Sequence, residues 1–321
     1  MHKRFVNHCT IELTLSPDGP ILIKSGKEGA DPTKPDMEFV ETYHAGGRSI
    51  YLPGSSLKGA IRAHAERIVR TVGNEKRKLN DHKHLWASNP LKLNDYDYLK
   101  DYSQTHDIYK WSSFTDQMFG STAIASRIRI EDAYPVDRTQ LKLEERNGVA
   151  IDRVFGSVAV GPFNYQVCTG GAFHTKIHLK NFTLAQLGLI GLVLRDLNDG
   201  WFGIGFAKSR GLGTVSVQFE KAIVQYPGCI LDTENQKIVL LGSSKEPWDY
   251  TSLLGVGAFL ADDERNQYGF PAQDEQDTPV AAHEMPLGFG VQLTWTGETV
   301  TDLFERAVRE WRKVVVPGVA A

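Results

Sequence analysis

Two segments of the sequence combine glycine with lysine, arginine and serine. The first is residues 52–62, LPGSSLKGAIR, and the second is residues 201–215, WFGIGFAKSRGLGTV. Glycine lets the backbone adopt positive φ and approach a partner closely. Lysine, arginine and serine side chains bind phosphate oxygens. Together, the two segments predict a site that holds a polyanion along its backbone.

Lys58 and Arg62 lie four residues apart, which places them on one face of a helix as a shared phosphate track. The second segment is not a Walker A loop, because no G-K-[ST] follows four residues after a glycine, and no nucleotide cofactor is expected. The alternative for this loop is a plain glycine-rich turn. The predicted contacts to the polyanion are Ser55, Ser56, Lys58 and Arg62 in the first segment, and Gly205, Lys208, Ser209, Arg210 and Gly211 in the second.

A loop rich in glycine and proline, residues 26–38, is predicted to be irregular and exposed, and its acidic residues include Asp31 and Asp36. Carboxylate oxygens are ligands that Mg²⁺ prefers. A single carboxylate binds Mg²⁺ weakly, so phosphates of a bound polyanion would have to supply the other ligands. The alternative is that both aspartates only solvate an exposed loop.

Composition excludes several classes of protein. The sequence has no apolar run of about 18 residues, so no membrane-spanning helix is expected. Residues 5–15 alternate like a strand rather than forming a signal peptide. The three cysteines, Cys9, Cys168 and Cys229, argue against a disulfide framework and fit the cytoplasm. The ten histidines make no zinc pattern.

The net charge of −3 is divided unevenly along the chain. Residues 1–220 hold 28 basic and 24 acidic residues, a balance of +4, whereas residues 221–321 hold 8 and 15, a balance of −7. Because an electrostatic footprint is local, a basic groove in the first part can still bind a polyanion.

The elements that would position these residues alternate between strands and helices. A first helix is predicted from Ser55 or Ser56 as its N-cap, and a second from after Thr183 to about residue 199. Residues 302–315 predict a terminal amphipathic helix. The order strand, helix, strand, hairpin, strand, helix, strand is typical of a ferredoxin-like unit. The predicted strands are residues 5–15, 21–25, 127–132, 172–179 and 213–219.

The ordered motifs PGSSLKGAIR (53–62), IDR (151–153) before an apolar stretch, and KSRGLG (208–213) resemble the RAMP superfamily. The nearest resemblance is to the repeated backbone subunit of type III CRISPR effector complexes. It covers roughly residues 5–220 and implies an α+β fold with a modified RRM/ferredoxin-like core, a thumb-like β-hairpin and a lid-like insertion. The last hundred residues have no counterpart in it and are expected to form a C-terminal extension. The implied RAMP domain is 1–220, with the insertion at about 74–112 and the thumb at about 146–170. Residues 221–321 would pack on the core or on a neighbouring subunit.

The resemblance also implies a function. The chain would bind guide RNA and target RNA together with other RAMP subunits and the large subunit of the complex. Asp36, with Asp31 as the alternative, would promote cleavage of the paired target with Mg²⁺ or another divalent cation, making the chain an endoribonuclease. Arg153 and Phe155 would contact RNA on the thumb, where Phe155 wedges between stacked bases.

Two other functions remain open from the sequence. The first is a structural backbone subunit of the same complex that does not cleave. The second is a RAMP-type ribonuclease that processes guide precursors by metal-free acid–base chemistry, using His44 or His64. For the hairpin, the alternative is an ordinary core element with no RNA contact.

Overall fold

The structure is a computed structural model, and it describes residues 4–26, 35–89 and 92–316. The α-helices of these residues are α1 (Gly54–Val72), α2 (Thr105–Trp111), α3 (Phe114–Phe119), α4 (Leu184–Asn198), α5 (Val256–Phe259), α6 (Asp262–Tyr268) and α7 (Val300–Val315). The strands are β1 (His8–Pro17), β2 (Glu41–His44), β3 (Gly47–Ile50), β4 (Ile128–Ile130), β5 (Tyr134–Pro135), β6 (Lys142–Ile151), β7 (Val158–Gly170), β8 (Phe173–Lys180), β9 (Val215–Tyr226), β10 (Cys229–Asp232), β11 (Lys237–Leu240), β12 (Trp248–Asp249), β13 (Ser252–Leu254), β14 (Glu275–Asp277), β15 (His283–Glu284) and β16 (Val291–Thr296).

The main sheet is antiparallel and has the order β15-β16-β9-β1-β8-β4, with β5 also paired to β8. Helix α1 connects β1 towards β4, and α4 connects β8 to β9. The central order β9-β1-β8-β4 with these two crossover helices is the ferredoxin-like arrangement. The predicted fold class is therefore confirmed.

One face of the sheet is buried beneath the helices. Alternate residues of β1, Cys9, Ile11 and Leu13, are at most 1% exposed, as a half-buried strand requires. Helix α4 is almost wholly apolar and buried, which confirms that it belongs to the core. In the described part of the chain, no helix is both long enough and apolar enough to cross a membrane.

The first helix begins differently from the prediction. Helix α1 starts at Gly54, and neither Ser55 nor Ser56 caps it. Instead the Gly54 amide donates a hydrogen bond of 2.7 Å to Oδ1 of Asp132, a residue distant in sequence. A Cβ on Gly54 would lie 2.3 Å from the Ile130 carbonyl oxygen, so glycine is needed for this close approach. The start of α1 is thus fixed by tertiary contact with β4.

The second helix begins as its sequence predicts. Thr183 and Gln186 form a reciprocal capping box at the start of α4. The Leu184 amide also donates to Oδ1 of Asp274 at 2.9 Å. Asp274 is buried, and burial raises its pKa to about 7. This side chain ties the C-terminal part of the chain to the core.

The segment 21–25 does not form a regular strand, contrary to the prediction. It makes only isolated bridges, Ile21 with Cys168 and Lys24 with Phe39. One of its carbonyl groups bonds to a distant loop, because the Phe206 amide donates to the Leu22 oxygen at 2.7 Å. The segment is extended, and its partners are β7, residues 38–40 and a loop rather than a strand of the main sheet.

The C-terminal hundred residues pack against the core of the same chain. Strand β16 extends the main sheet beside β9, and α7 packs on α4. The contact between these helices is close, because a Cβ on Gly188 would lie 2.5 Å from the Ala307 carbonyl oxygen and one on Gly191 would meet Phe304. The predicted terminal helix is confirmed, with Leu303, Phe304 and Trp311 buried.

Candidate nucleic-acid interface

The two glycine-basic segments meet across a groove of about 700 Å³. One wall is a face of α1, and the other is the loop of residues 200–214, which we call the glycine loop. Three cations, Lys24, Arg67 and Lys208, line the groove, and none of its described lining residues is acidic. The groove therefore carries a positive charge suited to a polyanion backbone.

The glycine loop is braced against the rest of the chain. The Gly213 amide donates to the Pro20 oxygen at 2.9 Å, and the Ile204 amide donates to the Gly213 oxygen at 2.9 Å. Ala207, with φ +54°, and Gly211, with φ +82°, flank a short 3-10 turn that carries the exposed residues 208–210. This bracing fixes the turn that presents Lys208, Ser209 and Arg210 to solvent.

Two of the loop glycines pack closely against backbone of the same chain. A Cβ on Gly205 would lie 2.3 Å from the Leu22 carbonyl oxygen, and one on Gly213 would lie 2.3 Å from that of Ile204. These glycines permit the close approach of the chain to itself, and Gly205 also lines the groove, so its contact with a ligand stays a prediction. Gly211 differs, because nothing lies within 4 Å of the position its Cβ would occupy.

We expect Gly205→Ala to destabilise the protein far more than Gly211→Ala. Both glycines have positive φ, at +79° and +82°, so each alanine incurs the left-handed strain of about 1–2 kcal/mol. Only Gly205→Ala also drives a Cβ into backbone, which adds about 1–3 kcal/mol and brings the expected loss to about 2–5 kcal/mol. Urea unfolding of the two variants measures the difference, and equal losses would contradict this packing.

Lys58 and Arg62 lie on one helical face as predicted, but both are half-buried and bond to other parts of the protein. Nζ of Lys58 donates to Oγ of Ser126 at 2.8 Å, and burial lowers its pKa, as does the nearby charge of Arg62. The Arg62 guanidinium bonds to Glu66, to Asp116 at 2.8 Å and to the Gly120 oxygen. These contacts fasten residues 116–128 to α1, and an RNA contact for this pair stays a prediction.

Two cations of the groove were missed by the sequence analysis. Arg67 lies eleven residues after Ser56, and with Gly59, Ala60 and Ala63 it forms one stripe along α1. That spacing is visible in the sequence, since positions i, i+3, i+4, i+7 and i+11 share a helical face. Lys24 carries no comparable signal, because tertiary contacts bring it to the groove, among them its bridge to Phe39 and the hydrogen bond from Phe206 to Leu22.

A buried histidine joins the walls of the groove. Nε2 of His64 is 2.7 Å from Oδ2 of Asp196 at the end of α4. The His64 ring stacks on that of Phe202, with 4.3 Å between the ring centres. His64 is only 7% exposed, so it cannot face RNA as an acid–base group. Its role here is to position Phe202 beneath the groove.

The other histidine candidate lies elsewhere. His44 ends β2 and is exposed, and its ring stacks on Tyr134 with centres 3.6 Å apart. It lines a separate hollow with Pro135 and Arg138. Within the described residues, His44 and the glycine loop therefore belong to different surfaces.

The hairpin β6–β7 projects from the protein. Val154 and Phe155 at its tip are 82% and 84% exposed, which contradicts the alternative of a core hairpin. Oδ1 of Asp152 accepts hydrogen bonds from the amides of Val154 and Phe155 at 2.6 and 3.2 Å, and Gly156 has φ +67°. The turn thus fixes an apolar tip in solvent, beside the exposed Arg153.

Asp36 lies at the base of the same hairpin. Its Oδ2 accepts a 2.8 Å hydrogen bond from the amide of Asn164 on β7, and the next residue, Met37, bridges to Tyr165. Asp36 is exposed, so its carboxylate can reach a ligand. Asp31, the alternative candidate, lies outside the described residues.

A divalent cation at Asp36 would depend on ligands from elsewhere. Among the described residues, no group of three histidine, cysteine, aspartate or glutamate side chains could hold a metal ion. An exposed carboxylate with one oxygen bonded to an amide fits a single metal ligand of the hard-oxygen type. Phosphate oxygens of a bound strand would have to complete the coordination.

The ferredoxin-like topology and the cationic groove are typical of nucleic-acid-binding modules. A family model described as the RAMP superfamily matches residues 14–216, which is more than half of the 321 residues. The chain belongs to the RAMP superfamily. This membership indicates a role in CRISPR-associated RNA-binding complexes, with RNA and other subunits as partners. A comparison with curated proteins finds no match.

Proposed function

We propose that this chain is a guide-RNA-binding backbone subunit of a type III CRISPR interference complex, and that it cleaves the paired target RNA. The observation that carries the proposal is the groove between α1 and the glycine loop, lined by three cations and by no described acidic residue. Such a groove contacts phosphates without selecting a sequence. Specificity would then come from pairing between guide and target.

Cleavage is assigned to Asp36 at the base of the hairpin. Asp36 would hold a divalent cation together with RNA phosphates, and the bound cation would stabilise charge on the attacking and leaving oxygens. The amide of Asn164 orients the carboxylate, because it bonds Oδ2 at 2.8 Å. Large-subunit and RAMP partners complete the complex in this proposal.

Phe155, which would wedge between bases, and the Asp36 carboxylate would act from different copies of the chain. The stretch of β7 from Val158 to Asn164 spans roughly 20 Å at about 3.3 Å per residue. Asp36 bonds Asn164, whereas Phe155 lies beyond the far end of this stretch. One copy therefore cannot place both groups on one phosphodiester, but the tip of one copy could expose a linkage to Asp36 of the next.

Replacement of the groove cations tests guide binding. We expect Arg67→Ala with Lys208→Ala to weaken binding of single-stranded guide RNA whatever its sequence. Each lost phosphate contact should lower the slope of log K against log salt concentration by about 0.7. Titrations at several salt concentrations measure the slope.

A matched pair of substitutions controls for the lost charge. Lys180→Ala with Arg312→Ala removes the same charge from two exposed cations outside the groove lining. This control should keep the wild-type slope. If both double variants reduce the slope equally, binding is not localised to the groove and the proposal fails.

A further inference from the structure

Trp201 stands at the mouth of the groove with 69% of its surface exposed. Tryptophan usually buries most of its large ring, because burial of so much apolar surface stabilises a core or an interface. The residue follows Gly200, which has φ +72°, directly after α4. Its exposed ring therefore borders a cationic groove rather than lying singly on a neutral surface.

The backbone of Trp201 is fixed by its surroundings. Its amide donates a 2.9 Å hydrogen bond to the Asp196 carbonyl oxygen. The following residue, Phe202, is held by stacking on His64, which pairs with the Asp196 carboxylate. The ring thus projects from an anchored turn, so little ordering is needed before a ligand binds.

The charges around the ring suit a nucleotide. The Arg195 guanidinium carbon lies 5.8 Å from the centre of the Trp201 ring, and Arg195 also pairs with Asp196 at 2.7 Å. Lys208 lines the same groove and can take a phosphate while the ring takes the attached base. A flat aromatic surface beside a cationic track is the arrangement that binds single-stranded nucleic acid.

We infer that Trp201 is a stacking platform for one nucleobase of the strand held in the groove. This inference rests on the proposed function. In that function the groove cations contact only phosphates, and Trp201 adds a contact to a base. Phe206, 37% exposed and also lining the groove, provides a second apolar surface nearby. Stacking tolerates every base but favours purines, because their rings cover more of the indole.

Binding of oligoadenylate, oligouridylate and an abasic strand of equal length tests the inference. With oligoadenylate, Trp201→Ala should bind about 5- to 150-fold more weakly than wild type. The salt slope should stay unchanged, since no phosphate contact is lost. The abasic strand should bind both proteins equally, and Trp201→Phe should recover most of the affinity.

Phe289→Ala is the matched control, because this ring is 60% exposed but lies between β15 and β16, outside the groove lining. It should bind all three strands as wild type does.

If the groove-cation variant loses affinity while Trp201→Ala keeps it, the stacking inference is overturned and the proposed function stands. If Trp201→Ala changes only self-association, the ring is a subunit contact and the inference is again overturned. If neither the groove-cation variant nor Trp201→Ala changes RNA affinity, the proposed function itself fails.

Discussion

Asp36→Ala should lower metal-dependent cleavage of target RNA by about 100-fold or more in the assembled complex. Stabilisation by a bound cation contributes several kcal/mol to the transition state, and each 1.36 kcal/mol is tenfold in rate. The residue is exposed, so the fold should lose no more than about 0.5 kcal/mol. Single-turnover cleavage of labelled target, with guide binding and assembly measured in parallel, gives the result.

Asp36→Asn separates the charge from the hydrogen bond. The amide oxygen of asparagine can still accept from the Asn164 amide, as Oδ2 of Asp36 does at 2.8 Å, but it carries no charge. If the carboxylate binds metal, Asp36→Asn should be nearly as inactive as Asp36→Ala. Full activity in Asp36→Asn would show that Asp36 only positions the base of the hairpin.

Asp31→Ala is the second control for the same loop. An inactive Asp31→Ala with an active Asp36→Ala would move the metal ligand to Asp31 and leave the mechanism intact. If neither substitution affects cleavage, and the complex cuts only when another subunit is present, the chain is a non-cleaving backbone subunit. Cleavage that persists in EDTA would instead favour the metal-free processing ribonuclease, for which His44 remains exposed.

The order of the main elements could be predicted from the sequence because their patterns are local. The alternation in β1 and the helical spacing of Leu57 and Ile61 in α1 report burial on one face. The capping box of Thr183 and Gln186 likewise lies within four residues. Such patterns can be recognised in the sequence without knowledge of the tertiary structure.

Which residues of the two glycine-basic segments reach the groove was harder to predict, because partners distant in sequence decide it. Lys58 contacts Ser126, so a cation that looks available on the helix is used internally. Gly205 packs on Leu22, although its motif resembles a ligand-binding glycine loop. Spacing within one element shows which residues share a face, but not which face stays open.

Phe155→Ala should lower target cleavage about tenfold or more while target binding stays near wild type. The apolar tip would supply the few kcal/mol needed to unstack a base step, which exposes the scissile linkage. Affinity comes mainly from base pairing and phosphate contacts, so the loss of one ring at the tip should change it little. Cleavage and retention of the same labelled target in the assembled complex measure the two effects separately.

Thermal unfolding distinguishes the wedge from a structural role for Phe155. Because Phe155 is 84% exposed, its truncation should leave the melting temperature almost unchanged, whereas loss of a core phenylalanine costs about 3–5 kcal/mol. Val154→Ala removes the neighbouring apolar side chain, which is 82% exposed, and should give a smaller loss of cleavage because valine presents less apolar surface than the phenylalanine ring. Wild-type cleavage by a double variant, Val154→Ala with Phe155→Ala, would show that the tip does not wedge the duplex and that the hairpin serves another contact.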